Sequence, residues 1–271
     1  MRSLFKFLRL YKKYIYINIK SITTYRSSFI LGMIGQWFNY GAMILTLYVL
    51  ILNFNNLDGW TSKEILFLYS FNLIAYAIAA SILFNPCRTL GQKLVIGEFD
   101  ASLTKPISPL KYEILTGFSF GYISHLLFSF FILACVMPKL NICLNINWLI
   151  ISLLMLISAV MVQVSLLLIG ASLSFWIFGK NTLSGQLFST MKIATKYPIT
   201  IYPNMIQVIL TFVLPGAFMN FYPAIVILGK AEASPFGKVI PYCSPIVGVI
   251  MMIISLIIWN KGVKQYQSSG T

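Results

Sequence analysis

Long apolar runs alternate with short polar stretches along almost the whole chain. Six of these runs come near or above the roughly 20 residues that an α-helix needs to cross a bilayer. They are Phe29–Leu52, Ile65–Phe84, Ile114–Val136, Trp148–Phe178, Ile201–Asn220 and Pro245–Trp259. The pattern therefore predicts an all-α integral membrane protein with six transmembrane helices. No linker or repeated period divides the chain, so we expect a single transmembrane domain over residues 1–271.

The segment before the first run is amphipathic. From Leu4 to Tyr25, apolar side chains recur at intervals of three and four, and basic side chains occupy the opposite face. Such a helix suits the boundary between anionic headgroups and acyl chains. We therefore expect an N-terminal amphipathic elbow helix (1–27) along the inner leaflet, a six-span bundle (28–262) and a cytosolic tail (263–271).

The basic residues predict the orientation of the chain. Lys and Arg number 20 against 6 acidic residues, which gives a formal net charge of +14. In a soluble protein this excess would suggest nucleic acid as a partner. With six spans, however, sixteen basic residues fall on the side of the termini and only four, Lys63, Lys139, Lys230 and Lys238, fall on the other. Because cytoplasmic loops carry the excess of Lys and Arg, we expect both termini in the cytoplasm, membrane lipids as partners and no nucleic acid.

One polar stretch, Gly97 to Leu110, combines acidic, basic and proline residues between the second and third runs. Gly97 can end a helix, and Pro106 and Pro109 prevent a long helix from continuing. Between them there is room for about one and a half to two helical turns. We predict a short helix, exposed at a membrane face, that docks a partner. An ordinary solvated loop is the alternative.

A second irregular region lies between Ile201 and Trp259. It contains more apolar sequence than two crossings need, and Pro215-Gly216 and the stretch from Asn220 to Pro223 interrupt it. Irregular backbone at membrane depth is tolerated only where protein or water satisfies its polar groups. We therefore predict an outer re-entrant hairpin before the last span, marked by Pro215, Gly216, Asn220 and Pro223. A single kinked helix followed by a surface helix is the alternative.

Residues that could carry chemistry are sparse. The sequence has no glycine-rich nucleotide-binding loop and no Cys or His cluster with metal-ligand spacing, so we expect no metal and no cofactor in this chain. All six acidic residues fall in loops or at span ends, which argues against a proton-coupled carrier. The candidates for a substrate route are Phe38, Tyr40, Phe71, Tyr76 and His125. Core packing is the alternative for these side chains.

Three stretches of the chain resemble the membrane permeases of type 2 ATP-binding-cassette exporters. They are Gly97-Glu98-Phe99-Asp100 with Leu103 and Lys105-Pro106, then Pro215–Phe218 with Asn220–Ala224 and Leu228-Gly229, and finally Gly262 with Tyr266–Gly270. The resemblance implies a coupling helix that sits in a groove on a cytosolic ATPase. Its residues are Gly97, Glu98, Phe99, Asp100, Leu103, Lys105 and Pro106.

The same resemblance implies the assembly and its location. Two permease subunits, identical or related, pair with two cytosolic ATPases in the bacterial plasma membrane. ATP and Mg²⁺ bind to the ATPases. An outer re-entrant pair of helices before the last span is also typical of these permeases.

Within the coupling helix, Phe99 and Leu103 are four residues apart and share a face, and Glu98 and Asp100 flank that face. We predict that Phe99 is an aromatic anchor in a pocket of the ATPase, with the two carboxylates at the rim. Leu103 is expected beneath them, towards the membrane subunit. The alternative is that Phe99 only packs against the membrane helices.

The predicted function is that of a permease subunit, not itself an enzyme, in an ATP-driven exporter. Its cargo is expected to be amphipathic or hydrophobic, such as an antimicrobial peptide, a drug-like molecule or a lipid-like molecule, because nothing in the sequence marks a site for a small, highly charged solute. A non-transporting assembly factor or a lipid-modifying membrane enzyme is the alternative. An enzyme would need a convergent polar cluster, and His125 with a few Asn and Gln residues is a poor one.

Overall fold

The computed structural model describes residues 11–14, 16, 20, 24, 26–54, 59–140, 142, 145–177, 190–191 and 194–267. Across these residues the chain is helical and contains no β-strand, which confirms the all-α class. The predicted elbow helix (1–27) falls mostly outside the described residues. The α-helices are α1 (Arg26–Phe54), α2 (Ser62–Val95), α3 (Asp100–Leu103), α4 (Pro109–Gly117), α5 (Ile123–Val136), α6 (Ile146–Ser172), α7 (Asn204–Val208), α8 (Phe221–Ile227) and α9 (Ser244–Gln265).

Short tight helical segments extend or connect several of these helices. The 3₁₀ segments are Phe120–Tyr122, Met137–Lys139, Leu173–Phe175, Ile199–Ile201, Gly216–Met219, Ala231–Ala233 and Ile240–Cys243, and a π-helical turn covers Ile209–Val213.

Four helical stretches in the described part of the chain are long and apolar enough to cross a membrane. They are Ser62–Val95, Phe120–Lys139, Ile146–Phe175 and Ile240–Gln265. They correspond to the second, third, fourth and sixth predicted runs. Helix α1 covers the first run and has 29 residues, about 44 Å at 1.5 Å per residue. The protein is therefore a membrane protein, and the total of six spans stays a prediction.

The third span begins later than the sequence predicts. Ile114 lies in α4, which ends at Gly117, and Phe118 then has an extended backbone. A Cβ at Gly117 would collide with the ring of Pro86 on α2, so glycine permits close contact between these two helices. The span itself starts at Phe120.

Helix α2 is the centre of the bundle. It begins with a capping box in which the backbone N–H of Thr61 donates to the Glu64 carboxylate at 3.0 Å. It packs against α5 on one side and α6 on another. Helices α6 and α9 approach closely through small residues, because Gly248 lies against the backbone of Ser158 and the Ser158 hydroxyl donates to the Ser244 carbonyl at 2.5 Å.

The fifth predicted span, Ile201–Asn220, is not one continuous helix. Helix α7 and the π turn together cover ten residues, about 15 Å, and then stop before Pro215, which has no N–H to continue the ladder. The hydroxyls of Thr211 and Tyr222 lie 2.9 Å apart, so the chain folds back on itself between α7 and α8. The fifth predicted run is therefore divided, and the chain turns at the predicted break, Pro215-Gly216.

Candidate functional site

The bundle has two ends, which we name after one residue each. At the Trp60 end, α2 and α6 begin. At the Phe99 end, α2, α6 and α9 finish, and the segment Val95–Pro106, here called the docking segment, connects α2 to α4. The residues predicted to act in coupling lie at the Phe99 end, and those predicted for the hairpin lie between the middle of the bundle and the Trp60 end.

The docking segment is a tight turn followed by one helical turn. Helix α2 ends at Val95, and Gly97 has a φ of +72°, a left-handed conformation that glycine adopts without strain. The Phe99 N–H then donates to the Lys93 carbonyl at 3.3 Å, which closes the turn. Helix α3 contains only four residues before the chain bends at Thr104. A short helix between Gly97 and Pro106 is therefore present, although it is shorter than the sequence suggested.

Phe99 is buried beneath this segment. It is 0% exposed, and its ring packs edge-on against Phe175 at 5.5 Å, Tyr266 at 5.3 Å and Trp259 at 6.3 Å between ring centroids. Gly262 makes room for this aromatic cluster, because a Cβ there would lie only 3.0 Å from Cγ of Phe175. The prediction that Phe99 faces a partner was wrong. Phe99 instead fixes the docking segment to the ends of α6 and α9.

The docking segment carries three exposed apolar side chains, here called the docking patch. Val95, Ile96 and Leu103 are exposed, and Leu103 retains 44% of its surface. Glu98 and Lys105, in the same segment, are also exposed. The predicted positions of Phe99 and Leu103 are thus reversed, because helical periodicity identifies residues that share a face but not the side that faces inward.

Asp100 faces the end of α9 rather than pointing fully outward. It is half-buried and lies against Tyr266, which follows the last residue of α9. Burial, together with the adjacent Asp100 carboxylate, raises the pKa of Tyr266 to about 12. The start of α3 and the end of α9 are therefore in direct electrostatic contact.

A buried carboxylate joins three elements under the docking segment. The side chain of Glu113, on α4, is only 2% exposed. Lys93 Nζ, near the end of α2, lies 2.7 Å from its Oε2, and the Ser102 hydroxyl on α3 donates to its Oε1 at 2.7 Å. Sequence reasoning placed Glu113 at a span end and missed this role. The available signal was that an acid followed directly by apolar residues needs a buried partner.

Three of the five residues predicted for a substrate route lie together. The His125 ring lies 5.2 Å from Tyr40, 5.6 Å from Tyr76 and 5.1 Å from Tyr122 between ring centroids, and His125 Nδ1 is 3.2 Å from the Ser124 hydroxyl oxygen. These rings line a cleft of about 480 Å³ between α1, α2 and the start of α5.

In the described residues, the walls of this cleft mix aromatic rings with polar side chains and contain no carboxylate, ammonium or guanidinium group. The described residues that line it include Gln36, Asn85 and Ser119 as well as the aromatic cluster, and none of them is Asp, Glu, Lys or Arg. The other two predicted residues do not take part. Phe38 is 76% exposed, on the face of α1 that points away from the bundle. Phe71 is buried, and its ring stacks on that of Phe67 with the centroids 6.3 Å apart.

A network of neutral polar side chains lies where the chain folds back. The Asn220 amide donates to the Thr195 carbonyl, and the Asn72 amide donates to the Thr195 hydroxyl at 3.4 Å. Gln163 Nε2 donates to Asn72 Oδ1 at 3.2 Å. In the part of the chain that the structure describes, Gln163 Oε1 and Asn220 Oδ1 are buried without a hydrogen-bond partner. This amide network joins α2, α6 and the start of α8.

The remaining predicted hairpin residues shape the turn. Gly216 lies under Met191, whose sulfur would be 3.3 Å from an added Cβ. Pro223 occupies the first turn of α8, where a missing N–H breaks no helical bond.

Helix α8 runs from the amide network to the Trp60 end. There the Ile227 carbonyl accepts from Trp148 Nε1 at 3.1 Å, and Lys230 Nζ lies 2.6 Å from Glu64 Oε1.

Comparison with known protein families settles the general class. The family model for ABC-2 family transporter proteins matches residues 37–270, which is most of the chain. The chain belongs to this family. Searches of curated proteins and of solved structures found no match. Membership of the ABC-2 family implies the role of a membrane transport subunit, not itself catalytic, that is partnered by an ATPase subunit.

Proposed function

We propose that this ABC-2 protein is the permease subunit of an exporter that moves an amphipathic or hydrophobic molecule outward. A separate cytosolic ATPase binds ATP and Mg²⁺ and docks at the Phe99 end. The observation that carries this proposal is the exposed patch of Val95, Ile96 and Leu103, held on a segment whose underside is fully packed. A small apolar centre with Glu98 and Lys105 at its rim is typical of a protein-docking surface.

The course of the chain supports six crossings with both termini in the cytoplasm. Phe175, at the end of α6, and Tyr266, after α9, both contact Phe99, so these two helices finish at the same end. Helix α9 therefore begins at the opposite end, and the chain between 177 and 244 has to pass from one end to the other. That passage supplies a fifth crossing, with α9 as the sixth. The excess of basic residues makes the Phe99 end cytoplasmic.

The folded-back region supports an outer re-entrant hairpin. Its turn, from Pro215 to Asn220, lies against the middle of the bundle, and α8 leads from there to the Trp60 end. The broken backbone is buried against protein rather than lipid, as membrane-depth irregularities require. In this proposal, the hairpin enters from the outer face and returns to it.

The aromatic cleft is the proposed entry site for the cargo. Its position between α1 and α2 gives side access for a molecule in the bilayer, and its uncharged hydrogen-bonding lining suits a polar head on an apolar body. On the face of α1 that points away from the bundle, three exposed apolar side chains recur at seven-residue spacing and form a stripe: Leu31, Phe38 and Leu45. We assign this stripe to packing with a second permease subunit, identical or related.

The deciding experiment is recovery of the cognate ATPase with the tagged permease. Leu103→Glu places a charge in the centre of the docking patch and should lower recovery at least tenfold, because a carboxylate would be desolvated in the interface. The matched control is Val239→Glu, at an exposed apolar position near the Trp60 end. Equal recovery by the wild type and Leu103→Glu would refute docking at this patch.

A further inference from the structure

Helix α3 is too short to hold its own position. Its four residues make about one helical turn. An isolated turn is unstable, because fixing its backbone dihedral angles loses more free energy than its first hydrogen bond supplies. Its placement therefore depends on side chains that reach beneath it. Phe99 provides one attachment, to α6 and α9. The hydroxyl of Ser102, which is 1% exposed, provides another, to Glu113 on α4.

The Ser102 attachment leads to a charged pair that stability alone does not require. Burying an ion pair costs desolvation free energy, and apolar residues of similar volume often stabilise a fold equally well. A carboxylate that accepts two bonds of 2.7 Å from different helices, by contrast, fixes both directions and distances. Glu113 therefore fixes how α2, α3 and α4 lie relative to one another.

Two of the helices that Glu113 joins, α2 and α4, are connected to the walls of the cleft. Helix α2 contributes Tyr76 and Asn85, and α4 leads within three residues to Phe120–Tyr122, which carries Tyr122. The close contact of Gly117 with Pro86 locks α4 against α2 between these points. A displacement of α3 would thus be passed to the cleft through a rigid pair of helices.

We propose that Glu113 and Ser102 are positioning residues for energy coupling. Movement of the ATPase against the docking patch passes from α3 through the Ser102 hydroxyl into Glu113, and from there into α4 directly and into α2 through Lys93. Phe99 anchors the segment, whereas the Ser102–Glu113–Lys93 chain transmits its displacement to the side of the bundle that contains the cleft. This inference rests on the proposed docking of an ATPase at the Phe99 end.

The test separates binding of the ATPase from transmission of its movement. The permease–ATPase complex carries one reporter, Lys63→Cys, on the exposed first turn of α2 at the far end, with the native cysteines removed. The rate of maleimide labelling is compared with and without nucleotide trapped by vanadate. Ser102→Ala removes the bond from α3 but leaves the pair of Lys93 and Glu113 intact. Ser102→Thr keeps the hydroxyl.

The control is Ser255→Ala, a fully buried serine whose hydroxyl bonds only within its own helix, to the Met252 carbonyl at 2.8 Å. We expect trapping to change the labelling rate severalfold in the wild type, Ser102→Thr and Ser255→Ala. In Ser102→Ala the nucleotide-dependent change in labelling rate should fall by at least threefold, while ATPase recovery stays close to wild type. A small fall in melting temperature is expected, because the buried Glu113 carboxylate loses one donor.

Two outcomes would overturn the inference. One is an unchanged nucleotide response in Ser102→Ala, which would show that coupling bypasses Glu113. The other is a parallel loss of melting temperature, ATPase recovery and response, which would reduce Ser102 to a structural bond. Failure of the wild-type permease to recover an ATPase is a different result, because it refutes the proposed function before any variant is compared.

Discussion

Truncation of Phe99 should destabilise the permease rather than weaken a partner surface. Phe99 is fully buried, and Phe99→Ala would remove a ring that contacts three other aromatic rings. A buried Phe→Ala change typically costs about 3–5 kcal/mol, of which each edge-on ring pair contributes about 0.5–1.5 kcal/mol beyond its buried area. Because the segment can partly collapse into the space, we expect about 3 kcal/mol.

Leu103→Ala is the matched variant on the exposed side of the same helical turn. Its stability cost should stay within about 0.5 kcal/mol, because exposed positions tolerate truncation. If Leu103 lies at the centre of the interface, the variant should lose about 1–2 kcal/mol of association, a 5- to 30-fold weaker affinity for the ATPase.

The two variants should therefore separate in a pair of assays. Thermal melting of the permease alone in detergent, reported as a shift because membrane proteins often unfold irreversibly, should fall for Phe99→Ala and stay unchanged for Leu103→Ala. In titrations with the cognate ATPase, Leu103→Ala should bind the ATPase more weakly than the wild type does. A normal melting temperature for Phe99→Ala together with lost ATPase binding would refute the packing argument and restore Phe99 as the anchor.

Gly262→Ala should destabilise the aromatic cluster by about 1–3 kcal/mol through overpacking, whereas Gly35→Ala, where a Cβ meets open space, should be neutral in the same melting assay; equal effects would contradict this. Burial and the adjacent Asp100 carboxylate raise the pKa of Tyr266 from 10 to about 12 on folding, so the folded state loses stability as pH rises through this window; Tyr266→Phe should lose less stability there, and identical pH profiles for the two proteins would refute this. In a cysteine-free background, Gln267→Cys should react with impermeant maleimide only after permeabilisation and Asn204→Cys in intact cells, and the opposite pattern would reject the proposed topology.

The long spans could be predicted from sequence because lipid imposes a simple rule. Every backbone group at membrane depth has to be satisfied, so about 20 continuous apolar residues signal a helix. Helices α2, α6 and α9 follow this rule closely. The fifth run did not, because Pro215 and the π turn divide an apolar stretch that composition alone makes continuous.

The details of the docking segment depended on partners far away in sequence. Whether Phe99 or Leu103 faces inward is decided by Phe175 and Tyr266, which come from the ends of two other helices. Glu113 likewise acquires its role only when α4 folds under α3. Local periodicity contains none of this information, whereas the turn itself was readable from Gly97 and Pro106.

The amide network has a consequence for how the protein responds to membrane voltage. Moving one elementary charge across a membrane potential costs about 2.3 kcal/mol per 100 mV. The bonds that join Asn220 to Thr195, and Asn72 to Gln163, involve only neutral groups. Separation of the folded-back region from the spans therefore moves no net charge through the field at this joint. Breaking these neutral contacts should therefore cost the same free energy in energised and de-energised cells.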